Sequence, residues 1–285
     1  MKTVVAPSDM RSPPAAPRLV GLIPAAGRAT RLGRSPCSKE LLPIGFAKRP
    51  YRQGPRPKAV SEYLLEQMVR AGCHYGYFVL REGKWDIPGY FGSGAEFGFA
   101  LGYLLVEEPW GPPFTLGKAA PFVSDSLVVT GFPDILIDPP DAMLRVVEHL
   151  RARPTADLVL GTFPADARSG ADWVLRARPD RVEQVVPKEA HPQWSLGDCT
   201  WAIAAWRPRF TRFLAAELAR LRLFAEKYEG HGSPEWPVGA VIAAALDAGM
   251  EVRARHFPDG AMLDIGLAER LMHAQEFPGV WDGCS

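Results

Sequence analysis

The chain has 285 residues, a length that suits one large domain or two small ones. A domain of that size buries roughly three-quarters of its unfolded surface, so its core needs neither disulfides nor a structural metal. Against 33 Lys and Arg stand 32 Asp and Glu, a net charge of +1, which excludes both the basic field of a nucleic-acid binder and a solvating acidic tail.

The 27 Gly and 28 Pro fall short of a low-complexity composition. The first 17 residues, rich in Pro, Ser and Ala, read as a loose tail, and residues 18–285 as a single domain. The N-terminal apolar run covers only residues 4–6, too short for a signal-peptide core, and no 18-residue apolar stretch is present to span a membrane. Four cysteines stand 36, 126 and 85 residues apart with no CxxC pair, so free thiols and a cytoplasmic protein are expected.

In chain order, residues 19–23 (LVGLI) form a short apolar run that suits a buried parallel strand, followed by a Gly-containing loop. Residues 59–71 carry apolar side chains at helical spacing and stop at Gly72, a natural C-terminal cap. Strands are expected at 75–80, 99–106 and 126–130, with a short helix at 115–123 between the last two. A helix at 141–151 and a strand at 157–162 continue the alternation. That pattern indicates an α/β fold with a mostly parallel central sheet.

Three strand-like runs at 173–177, 181–186 and 200–206 then follow one another through turns, the pattern of an inserted antiparallel ribbon. A long amphipathic helix at 208–228 places Phe210, Phe213, Leu214, Leu218, Leu221 and Phe224 near one face, a stripe that reads as core. A helix at 238–248, a strand at 252–257 and a helix at 267–275 close the chain.

The stretch richest in chemistry is Gly21-Leu-Ile-Pro-Ala-Ala-Gly27-Arg28-Ala29-Thr30-Arg31-Leu32, followed by Ser38-Lys39-Glu40-Leu41-Leu42-Pro43-Ile44. Small residues after a strand let the backbone approach a ligand, Gly27 supplies a turn, and the amides beyond it can point at phosphate oxygens. Arg31 and Lys39 add a forked and a point-like cation suited to a triphosphate. The stretch is neither a Walker A sequence nor a GxGxxG, and the same residues would also serve as an ordinary loop. The six histidines are scattered with no metal-binding spacing, and no serine sits in GxSxG.

This stretch resembles the signature GxxAAGxGTRL…PKxLLPI of the nucleoside-triphosphate:sugar-1-phosphate nucleotidyltransferases, nearest to the glucose-1-phosphate thymidylyltransferases. Residues 90–98 (YFGSGAEFG) resemble that family's LGDGSEFGI segment, and Met262-Leu-Asp264-Ile-Gly266 its WLDTGT segment, in the family's order along nearly the whole chain. The resemblance implies a nucleotide-diphosphosugar transferase (Rossmann-like) fold. It also implies in-line attack of a sugar 1-phosphate on the α-phosphorus of a nucleoside triphosphate, with Mg²⁺ as cofactor, and the chance of a homo-oligomer. Neither nucleic acid nor membrane is an expected partner.

By the same resemblance Arg31, Lys39 and Lys188 are catalytic, and Ala25, Ala26, Gly27, Arg28, Thr30, Glu108 and Gly131 contact the nucleotide. Lys188 and Glu235 hold the sugar phosphate, and Asp134 and Asp264 hold the metal. Taken as residues, Asp134 could instead be a turn residue after Pro133 and Asp264 a helix cap, while a charge at a helix N-terminus accounts for Glu235 equally well.

The departures are specific. Ala29 stands where the family has Gly, Phe132-Pro133 are inserted before Asp134, Leu267 replaces a Thr, and Pro112-Pro113-Phe114-Thr115 occupies the base-reading loop. Transfer to a different phosphate or phosphonate acceptor, or a catalytically weak nucleotide-binding regulator, are the alternatives. A thymidine or uridine triphosphate is the expected donor.

Overall fold

The computed structural model describes residues 17–47, 55–107, 110–165, 172–178, 180–186, 199–227 and 235–278. Its strands are β1 (Leu19–Pro24), β2 (Pro43–Ala47), β3 (Arg56–Ala59), β4 (Tyr75–Leu80), β5 (Ala100–Leu105), β6 (Leu127–Gly131) and β7 (Ile135–Asp138). They continue with β8 (Leu158–Pro164), β9 (Trp173–Arg178), β10 (Arg181–Val186), β11 (Cys199–Trp206), β12 (Val252–His256) and β13 (Ala261–Asp264). Helices are α1 (Val60–Arg70), α2 (Asp86–Phe91), α3 (Pro112–Gly117), α4 (Ala120–Val123), α5 (Ala142–Ala152), α6 (Pro208–Lys227), α7 (Val238–Asp247) and α8 (Ala268–His273).

Nine strands form one sheet in the order β5-β4-β1-β6-β11-β8-β12-β10-β9. Strands β5, β4, β1 and β6 pair in parallel, while β11 and β10 run against the rest, so the sheet is mostly parallel. Both faces are covered, and the strands alternate accordingly. In β1, Val20 and Leu22 face the core under α3, α6 and α7, while Leu19 and Ile23 face the core under α1, α2 and α5. Burial on both faces is what makes these strands near-continuous apolar runs.

The expected ribbon is present as the antiparallel pair β9–β10, but it joins the end of the sheet through β12. Its expected third strand, β11, lies in the sheet interior between β6 and β8, with all eight residues buried. The N-terminal end of β11 also pairs with β9, which closes β11, β8, β12, β10 and β9 into a ring.

The single helix expected at 115–123 is two, α3 and α4. Pro112 and Pro113 open α3 at its first positions, where a missing N–H costs no intrahelical bond. Two ribbons were not apparent in the sequence: β2–β3, and β7–β13 with Asp264 opposite Ile135. Ile44, Val60, Leu136, Ile265 and Ala274 join them and α8 in a small core of their own.

Candidate active site

The C-terminal ends of β1, β4, β5 and β6 open into one cleft, and the chain reverses its direction of travel across the sheet at β1. A ligand crevice in an open α/β sheet is expected at such a switch point. One half, about 630 Å³, is lined by Pro24, Ala26, Gly27, Arg28, Arg81, Val106, Glu107, Gly111 and Thr115. The other, about 420 Å³, is lined by Arg31, Lys39, Phe132, Asp134, Asp172, Trp201, Trp236 and Asp264. Gly27, Thr30, Pro112 and Glu235 line both halves, so the two form a continuous trough.

The two carboxylates expected to hold a metal are 130 residues apart in sequence and come together through the β7–β13 ribbon. Asp264 lies opposite Ile135, and the Ile265 amide donates to the Asp134 carbonyl at 3.0 Å. Each carboxylate already carries cations. Lys39 Nζ sits 2.5 Å from Asp134 Oδ2, and Arg31 and Arg270 approach Asp264 Oδ2 at 3.8 and 3.7 Å. The Gly266 amide donates to Asp264 Oδ1 at 2.7 Å. A Cβ at Gly266 would come within 2.8 Å of that oxygen, so the close approach needs glycine.

Burial pulls the Lys39 ammonium down, but the charges of Asp134 and Glu40 outweigh it and hold it above its ordinary value. Lys39 therefore stays a cation. Phe132 and Pro133, inserted before Asp134, do not remove that carboxylate from the cleft, and Phe132 packs on Trp201 with ring centroids 5.6 Å apart.

The residues expected to contact the nucleotide divide. Ala26, Gly27, Arg28 and Thr30 line the cleft, as does Arg31. Ala25 is turned into the core beneath α1, and Gly131 is enclosed by Leu64, Ile203 and Met143, so neither lines the cleft. The left-handed position of the loop falls on Ala29, at φ 55°, alone among the described non-glycine residues. Lys188 and Glu108 lie outside the described residues.

Glu235 lines both halves of the trough, just before α7, where Asp172 accepts from the Gly239 amide at 2.7 Å. Asp264 does not cap α8, whose N-cap is Leu267. Residues 90–98, which carry part of the resemblance, pack elsewhere. Tyr90 donates to Glu62 at 2.6 Å, and the rings of Tyr90, Phe91 and Phe97 cluster there. Arg270, Asp172, Trp201, Arg81 and Glu107 were not singled out by the sequence; Arg81 and Glu107 follow the ends of β4 and β5, Asp172 precedes β9, Trp201 lies in β11 and Arg270 in α8.

Two hard carboxylates with few further donors fit Mg²⁺, which takes one or two carboxylates and completes its shell with waters and substrate phosphates. No group of three or more potential metal-ligating side chains exists among the described residues, so a site filled by protein ligands alone is not built here. No helix among the described residues is long and apolar enough to cross a membrane.

No protein-family model matches the chain, and no curated protein sequence matches it. Solved structures do. A structure described as a glucose-1-phosphate thymidylyltransferase from Bacillus anthracis, in complex with sucrose, superposes with a TM-score of 0.71 at 16% identity over 90% of this chain and 94% of that one. A UDP-glucose pyrophosphorylase complexed with UDP-glucose gives 0.69 at 15% identity over 92% and 98%. UTP-bound UDP-glucose pyrophosphorylase from Acinetobacter baumannii gives 0.65 at 13% identity over 93% and 96%. The chain has the fold of the sugar-1-phosphate nucleotidyltransferases.

Proposed function

We propose that the protein joins a nucleoside triphosphate to a sugar 1-phosphate, releasing pyrophosphate and forming a nucleotide-diphosphosugar. The observation that carries this reading is the cleft itself. A small-residue loop, a half-buried Lys39 and two carboxylates brought together by the β7–β13 ribbon line one trough whose halves are about 630 and 420 Å³. A phosphate monoester is already an anion near pH 7, so its attack on the α-phosphorus needs no general base. Catalysis reduces to alignment and charge neutralisation.

In this reading the amides of residues 26–30 with Arg28 and Thr30 hold the triphosphate in the larger half. Lys39 and Arg31 stabilise charge where pyrophosphate departs, and Lys188 grips the acceptor phosphate with Glu235 beside it. Asp134 and Asp264 would hold Mg²⁺, which supplies further charge neutralisation at the phosphates. Lys39 engages only Oδ2 of Asp134, so the other carboxylate oxygen would remain for the ion while the ammonium faces the phosphates.

The fold neighbours carrying UTP and UDP-glucose support a uridine or thymidine donor. Both substrates are cytoplasmic metabolites, which supports a cytoplasmic location. The test is pyrophosphate release across a matrix of nucleoside triphosphates and sugar 1-phosphates, with Asp134→Asn alongside. Release that needs both substrates and fails in the variant is expected. Release without an acceptor, or none with any pair, contradicts the reading.

A further inference from the structure

Lys39 stands in a stretch with little regular structure, yet its ammonium meets a carboxylate 95 residues further along the chain. Something other than helix or sheet must hold it there. We propose that Lys84 and Asp86 are positioning residues for Lys39, and that the Glu40–Lys84 ion pair exists to aim the Lys39 ammonium at nucleotide phosphates. The inference rests on the nucleotidyltransferase reading of the cleft.

The residues on either side of Lys39 are both fastened to the turn that follows β4. The Ser38 amide and hydroxyl donate to the two oxygens of Asp86, at 2.6 and 2.7 Å. On the other side Lys84 Nζ donates to Glu40 Oε1 at 2.6 Å. Lys39, between them, reaches Asp134. The Ser61 hydroxyl adds a third fastening, to the Glu40 carbonyl at 2.6 Å. The one-turn helix Lys39–Leu41 is thus held from α1 and from the β4–α2 turn, and only its lysine is left to the cleft.

The Glu40–Lys84 pair is costly. Glu40 is 0% and Lys84 4% exposed, and Glu40 Oε2 is buried with no partner among the described residues. Removing two charges from water commonly costs as much as their attraction returns, and apolar or neutral replacements of such pairs are often no less stable. Stability alone therefore does not account for this pair. Its neighbour does: Glu40 adds to the negative field around Lys39, and burial of both partners fixes the geometry of the turn on which Lys39 is mounted.

The test compares wild type, Lys84→Met and the Glu40→Gln/Lys84→Met double variant by Tm and by calorimetric titration with inorganic pyrophosphate in Mg²⁺. Lys84→Met, which strands a buried carboxylate, is expected to lose both Tm and affinity. The double variant is expected to regain most of the wild-type Tm while binding pyrophosphate on the order of tenfold more weakly, the scale of one charge-assisted hydrogen bond. In turnover assays it should raise the nucleotide KM and leave the acceptor KM unchanged.

Asp86→Asn, altered at an exposed carboxylate, is the second variant should the double one not fold. It too should weaken pyrophosphate binding, with Tm within about 2 °C of wild type. Wild-type affinity in a double variant of restored Tm, or in Asp86→Asn, would make the fastening purely structural and overturn the proposal. If wild type itself binds no pyrophosphate, the reading of the cleft has failed first, a result distinct from any difference among the variants.

Discussion

At the scale of single residues, Asp134 and Asp264 are each already matched by cations, so replacing either with Asn removes a charge without opening a cavity. Turnover is expected to fall on the order of a hundredfold or more, a larger effect than the loss of Tm from leaving the facing cations without their carboxylate. Near-wild-type turnover at saturating Mg²⁺ removes that residue from the site. Gly266→Ala forces a methyl against Asp264 Oδ1, with Arg31 next nearest, so it should cost activity chiefly by displacing Asp264 and raise the Mg²⁺ requirement. Ala29 makes the opposite prediction. Its left-handed backbone carries a strain of about 1 kcal/mol, part of which glycine relieves. Ala29→Gly should therefore raise stability by about 0.5 kcal/mol in denaturant unfolding; a loss of stability would contradict the strained geometry.

Elements explain why some of this was legible and some was not. The helix at 59–71 follows from periodicity, since it buries one regular face, and the strands at 75–80 and 181–186 from short strand-like runs. Strand β11 was assigned to the ribbon because it follows β9 and β10 in the chain. The better signal was its composition: CTWAIAAW has no alternation, as an interior strand buried on both faces requires. The β7–β13 ribbon has four residues a side and no turn signature, and its partners are far apart in sequence, so nothing local announces it. Yet that ribbon brings Asp134 and Asp264 together.

Leu136→Ala, in the small core behind the ribbon, should cost about 2–5 kcal/mol by thermal unfolding. At temperatures where the variant remains folded, it should also weaken Mg²⁺-dependent activity. The Ser38–Asp86 contact gives a pH prediction. Burial raises the Asp86 carboxyl, but bonds from Ser38 and from its own helix outweigh that and hold it below the usual carboxylate range. Its contribution is thus complete above about pH 4 and is lost as pH falls through the depressed value. The Ser38 amide resonance should move over that acid range in wild type and stay put in Asp86→Asn.

For the whole molecule, alternation of strand and helix was enough to give the α/β class, and the loop after β1 was enough to locate the cleft. The rest of the site depends on long-range pairing. The order of strands places the ends of β1 and β6 side by side, the ribbon delivers Asp264 beside Asp134, and α8 brings Arg270, none of which a spacing in sequence could show. The central claim is that this cleft transfers a nucleotidyl group between two phosphates. Phosphorus NMR of the protein with Mg²⁺, uridine or thymidine triphosphate and glucose 1-phosphate follows every phosphorus at once. The account predicts loss of the triphosphate and sugar-phosphate signals together, with the coupled pair of a diphosphosugar and free pyrophosphate rising in equal amounts. Triphosphate consumed to mono- or diphosphate while the sugar phosphate stays unchanged would contradict it.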